Sequence, residues 1–128
     1  MPSFVSLRLF NGRITVRVAG SSDQSFTQTS QYTHSEIRHI AVTRSSSNNL
    51  KLYVNGVEGV LYNGSADVTG GVTNSGTSNI DYIGREIGVN NYRGLVNEFS
   101  IFNTELTQTQ VQELFNDGVA LDSTTSSK

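Results

Sequence analysis

The chain has 128 residues, a formal charge of -2 and a pI near 5.6; this fits one domain with a hydrophobic core and leaves no cationic excess for nucleic acid or an anionic membrane. It has no cysteine, so disulfides, thiolate metal sites and thiol nucleophiles are excluded. Ser and Thr make 30 of the 128 residues, with 12 Asn and 12 Gly against one Pro, a composition that favours strands and tight turns over helices.

The first local signal is Asn11-Gly12 between two alternating runs, the preferred sequence for a two-residue type I′ hairpin because both central residues need φ > 0. Counting outward pairs Phe10 with Arg13, Leu9 with Ile14, Arg8 with Thr15, Leu7 with Val16, Ser6 with Arg17 and Val5 with Val18. One face is then wholly aliphatic, and the other carries Arg8, Arg13 and Arg17 beside Phe10. Gly20 to Ser35 is rich in Ser, Thr and Gln, with Phe26 and Tyr32 as its large apolar groups, and reads as a weak edge strand or a long loop.

Arg38 to Arg44 alternates as a strand with Ile40 and Val42 inward, Ser45 to Asn49 reads as a polar turn, and Leu50 to Val54 follows as the neighbouring strand. A second Asn-Gly, Asn55-Gly56, predicts a hairpin pairing Val54 with Val57, Leu52 with Gly59 and Leu50 with Leu61, with Lys51, Tyr53 and Glu58 on the other side. Asn63 to Asn79 exceeds the usual hairpin connection and is expected to be a functional loop or an irregular strand pair. Ile80 to Arg85 reads as a short strand. Gly94 to Phe102 reads as a longer one, with a bulge near Asn97 and Glu98 bringing Val96 into phase with Phe99 and Ile101. One helix is written out near residues 107–117: Thr107 as N-cap, Gln110 completing a capping box, Leu106 stapled to Val111, and Gly118 placed to end it. Val111 and Leu114, with Phe115, would face the sandwich, and Leu121 to Lys128 would form a flexible polar tail after a single domain at residues 1–120.

From about Ile37 to Gly118, four ordered blocks stand out: HIAVTR, LKLYVNG, IGR and GLVNEFSIFN followed by the short helix. Their order and spacing resemble the laminin-G-like domains of the concanavalin A-like lectin/glucanase group. The resemblance implies an all-β fold, an antiparallel β-sandwich of jelly-roll type with one short C-terminal helix, and recognition in preference to catalysis. It also implies strands ahead of the first hairpin that are missing or reduced here. Two positions depart from the family pattern: Ile37 stands where Trp is usual, and Asn97 where Asp is usual.

A glycosidase would need two carboxylates flanking the bond, yet Asp81, Glu86 and Glu98 are scattered, and His34 and His39 lack metal-ligand spacing. No enzyme activity and no cofactor are expected. Calcium, which the resemblance allows, has Asp67 and Asp81 as its candidates, although a hard cation wants six to eight oxygens. Tyr53, Tyr62 and Tyr92 are the candidates for stacking on a glycan. Arg8, Phe10, Arg13 and Arg17 are the candidates for a protein partner. No run approaches the ~18–20 apolar residues of a membrane span, and no charged segment followed by an apolar run marks an export signal. The expectation is therefore a non-catalytic, homo-oligomeric interaction module that binds protein subunits at a virion surface or outside the cell, as a bacteriophage decoration, cement or fibre-type component. The alternative is a carbohydrate-binding, lectin-like module of a larger secreted or cell-surface protein.

Overall fold

The computed structural model describes residues 4–10, 12–19, 24–32, 37–73, 94–96, 98–116 and 119. The strands are β1 (Phe4–Phe10), β2 (Arg13–Ala19), β3 (Gln24–Gln28), β4 (Ile40–Arg44), β5 (Asn49–Val54), β6 (Val57–Glu58), β7 (Leu61–Tyr62), β8 (Asp67–Val68) and β9 (Val72–Thr73), followed by helix α1 (Gln108–Phe115). They form two antiparallel sheets. The first has five strands in the order β1-β2-β3-β7-β8; in the second, β5 has β4 on one edge and β6 and β9 along the other.

The first hairpin has the register dictated by its turn, from Phe10↔Arg13 out to Phe4↔Ala19. The second turn has Asn55 at φ 51 and Gly56 at φ 75, the signs a type I′ turn demands, and Val54↔Val57 and Tyr53↔Glu58 follow. Gly59 N still donates to Leu52 O at 2.8 Å. There the expected pairing of Leu50 with Leu61 fails. Leu61 crosses to the first sheet and pairs with Gln28, while Val72 takes the place opposite Leu50. The Asn63 to Asn79 segment, described as far as Thr73, crosses back: β8 belongs to the first sheet and β9 to the second. β3 also departs from expectation, since it is an interior strand between β2 and β7 and not an edge.

The core lies between the sheets, where Ile14, Val16, Phe26 and Leu61 meet Leu50, Leu52, Val54 and Val72, with Tyr32, Ile40 and Val68 packed around them. On the far side of the second sheet, Tyr53, Leu106 and Val111 form a second cluster with Ala41 and Leu114. Consecutive residues Leu52, Tyr53 and Val54 are all buried because β5 is covered by the first sheet on one face and by the helix on the other. Both halves of the capping box form: Thr107 N donates to Gln110 Oε1 at 2.9 Å, and Gln110 N donates to Thr107 Oγ1 at 3.3 Å. Asn116, left-handed at φ 44, caps the C-terminus in place of the expected Gly118, which lies outside the described residues.

Sheet widths explain a further departure. Strands about 4.8 Å apart make five strands about 19 Å wide and three about 10 Å wide, so the second sheet cannot cover the first. The overhang falls at β1. Leu7 and Leu9 are 48% and 54% exposed, although Ile14 and Val16 on the same face of β2 are buried. Val42, expected inward, is half-exposed because β4 is an edge strand. The strand expected over Gly94 to Phe102 is not formed in its described residues; Glu98 turns left-handed at φ 55, and Phe99 and Ile101 are exposed. The strand expected at Ile80 to Arg85 and the tail after Ala120 lie outside the described residues. Among the described residues no helix is long and apolar enough to cross a membrane.

Candidate functional site: the outer face of the five-stranded sheet

Alternation along the first sheet puts Ile14, Val16 and Phe26 into the core and turns their sequence neighbours outward. The pairing then aligns one residue from each strand. Arg8 lies opposite Thr15, Thr15 opposite Thr27, Thr27 opposite Tyr62, and Tyr62 opposite Asp67, a row about 19 Å long at standard strand spacing. The Thr15 and Thr27 hydroxyls are 3.1 Å apart, joining β2 to β3 in the middle of the row. Tyr62 is 43% exposed, and Arg13 and Asp67 are exposed. Arg13 and Arg17 flank Thr15 along β2, and Phe10 holds the position opposite Arg13.

This face brings together residues that the sequence suggested for three different purposes: Arg8, Arg13, Arg17 and the position of Phe10 for a protein, Tyr62 for a sugar, and Asp67 for calcium. Tyr53 does not join them. It is buried on the opposite side of the second sheet, beneath Leu106 and Val111, so its ring is a packing surface and not a stacking platform. Burial pushes its phenol above the ordinary tyrosine range, Lys51 pulls the other way and Glu58 adds to the rise; Lys51 Nζ and Glu58 Oε2 lie 3.5 Å apart. Tyr92 and Asp81 lie outside the described residues.

Thr15 and Thr27 are site residues that motif reading passed over. Thr15 was readable from the hairpin register, but Thr27 depends on β3 being an interior strand, for which its polar sequence gives no sign. Asp67 sits at the far edge after a turn in which Asn63 Oδ1 accepts from Ser65 N at 2.9 Å and Ala66 N at 3.0 Å. Among the described residues no three His, Asp or Glu side chains come together.

His39 belongs to a different place. Its N donates to Asn55 Oδ1 and its O accepts from Asn55 N, both at 2.9 Å, and its ring lies 6.1 Å from that of Phe115. It therefore joins the second hairpin to the helix. Burial lowers its pKa, and Glu98 opposes the shift.

Two antiparallel sheets face to face, with a helix on the narrower one, define a β-sandwich of the concanavalin A-like kind. A laminin-G family model, described as the concanavalin A-like lectin/glucanases superfamily, matches residues 4–112. The chain belongs to that family. No curated protein and no solved structure gives a significant match.

Proposed function

We propose that the chain is a non-catalytic interaction module whose outer five-stranded face receives another protein subunit, as in a virion-associated decoration, cement or fibre-type component. The observation that carries this reading is the unbroken row Arg8, Thr15, Thr27, Tyr62 and Asp67 across all five strands. Strand backbones hold these side chains at fixed spacing, so little conformational entropy is lost when a partner settles on them. Arg and Tyr suit a protein surface because both combine a broad apolar body with directional hydrogen bonding. The cationic end at Arg8, Arg13 and Arg17 and the anionic end at Asp67 give the face a polarity that would orient an acidic partner group toward β1 and β2.

A second reading, carbohydrate binding, is favoured by Tyr62, an exposed ring flanked in its row by the hydroxyl of Thr27 and the carboxylate of Asp67. One experiment separates the two. The chain is co-expressed with the products of neighbouring reading frames and analysed by native mass spectrometry, and the purified chain is screened on a glycan array. The protein reading expects a hetero-complex that Arg13→Glu with Tyr62→Ala weakens at least tenfold. Failure to form any such complex, together with an array signal lost in Tyr62→Ala, would replace it with the carbohydrate reading.

A further inference from the structure

We infer that the free edge of β1 is a self-association surface, on which a second copy of this chain docks by antiparallel pairing of β1 with its own counterpart about a two-fold axis through Leu7. Among the described residues β1 borders β2 alone. Strand edges exposed in this way are ordinarily blunted by proline, lysine, a bulge or short length. β1 has none of these: it runs seven residues, Phe4–Phe10, in unbroken register with β2. Leu7 and Leu9, on its core-facing side, are left about half exposed by the narrower second sheet.

The sequence of β1 selects the register. A two-residue turn closes on a hydrogen-bonded pair, so Phe10, Arg8, Ser6 and Phe4 bond toward β2, and Leu9, Leu7 and Val5 present N–H and C=O to the free edge. Centring on Leu7 uses all seven residues and sets six backbone hydrogen bonds. It places Leu7 opposite Leu7 of the second copy, Leu9 opposite the Val5 position and Arg8 opposite Ser6. Moving the centre to Arg8 sets two guanidinium groups against each other, which cross-strand pairing disfavours; moving it to Ser6 shortens the overlap to five residues. The favoured register is thus the one that joins aliphatic to aliphatic on the inner side and avoids like charges on the outer.

The area sets the strength. A strand edge about 23 Å long and roughly 12 Å deep covers about 300 Å² on each copy, near 600 Å² in total, below the ~1,200 Å² of a standard stable interface. The dimer is therefore reversible, with a dissociation constant of about 10 µM to 1 mM, and it becomes fully populated only where copies are concentrated, as on a particle. Pairing of this kind extends the five-stranded sheet into ten strands and brings two outer faces side by side. The inference concerns an edge and not the face, so it stands or falls separately from the proposed function.

The test uses the full chain. Sedimentation across about 5 µM to 1 mM, the range set by the interface area, is expected to show a mass rising toward twice the monomer. Leu7→Lys, which places a charge on the inner side of the edge, should remain monomeric with an unchanged circular dichroism spectrum. In this cysteine-free chain, Leu7→Cys puts two thiols on residues whose Cα atoms are about 5.5 Å apart across the axis, within disulfide reach, so mild oxidation should link the dimer much faster than in a Ser47→Cys control on the exposed turn. Arg13→Glu with Tyr62→Ala should dimerise like the parent, which separates this surface from the proposed binding face. A monomeric mass over the whole range, or Leu7→Cys linking no faster than Ser47→Cys, would overturn the inference.

Discussion

The return from the first sheet to the second depends on Gly71, and the neighbouring Gly70 supplies its control. Both have left-handed backbones, at φ +95 and φ +78. A side chain in that region costs about 1–2 kcal/mol, partly offset by about 0.4–1 kcal/mol from the stiffer unfolded chain. At Gly70 an added Cβ meets nothing within 4 Å, so Gly70→Ala should destabilise by about 1 kcal/mol or less. At Gly71 the same carbon would lie 2.6 Å from Leu50 O and 2.8 Å from Asn49 Nδ2. The first of these is strand backbone, which can yield only by shifting the ladder that sets Val72 opposite Leu50. That adds roughly 1–3 kcal/mol of overpacking, for a total near 2–4 kcal/mol, and each kcal/mol is worth about 3–5 °C of Tm in a domain of this size. The chain has five Tyr and no Trp, so urea unfolding is followed by tyrosine fluorescence and far-ultraviolet circular dichroism. If the two variants lose stability within about 0.5 kcal/mol of each other, the additivity error for such comparisons, then close approach to β5 is not what requires glycine at position 71.

Two further predictions concern the helix and its dock. Thr107→Ala removes the N-cap and should cost about 1 kcal/mol, whereas Val111→Ala opens a space in the fully buried cluster with Tyr53 and Leu106 and should cost about 1.5–3 kcal/mol; amide exchange of the helix ought to quicken in both, and an unchanged exchange rate would show that the helix is not held by this cluster. The lowered pKa of His39 means that the unfolded chain takes up a proton before the folded one does. Its contribution is therefore complete above the unfolded value of about 6.5 and falls away as pH drops through the lower folded value. Melting temperature should decline below pH 6.5, less steeply in His39→Gln and more steeply in Glu98→Gln, which removes the charge that now opposes the shift; superimposable pH profiles for the three proteins would refute the assignment.

Local rules were legible where the chain closes on itself within a few residues. Asn11-Gly12 forced seven consecutive pairs, Asn55-Gly56 forced the first two of the second hairpin, and the Thr107 to Gln110 box set the helix start. What failed was decided by the third dimension. Leu61 is apolar and alternates correctly for either sheet, so nothing in its neighbourhood announces that it pairs with Gln28 and not with Leu50. β3 was hidden because its outward residues are polar and because Gln28, an amide, is buried on its inward side, where pattern reading expects a hydrocarbon. Its side chain finds a partner by donating from Nε2 to the Tyr32 hydroxyl. Leu7 and Leu9 alternate as core residues and are half-exposed all the same, since the width of the facing sheet is a property of the whole fold. Ile37, at the family's usual Trp position, is 96% exposed, so the packing that Trp would supply is absent there.

The same asymmetry bears on the candidate site. The second sheet is used on both sides, by the core and by Tyr53, Leu106, Val111 and Leu114 under the helix, so its central strand β5 has no face left for a ligand. Among the described elements only the first sheet keeps an uncovered face, and its row of Arg, Thr, Tyr and Asp side chains needs no apolar cover. Three of the sequence's candidate sets converge there because the outward positions of β1, β2, β7 and β8 are where strand alternation leaves polar side chains once the core has taken the rest. Convergence alone would thus follow from patterning. What patterning does not require is that an exposed tyrosine and three arginines fall on one sheet face in a chain with only nine cationic residues, and it is this departure that the paired Arg13 and Tyr62 substitutions are built to probe.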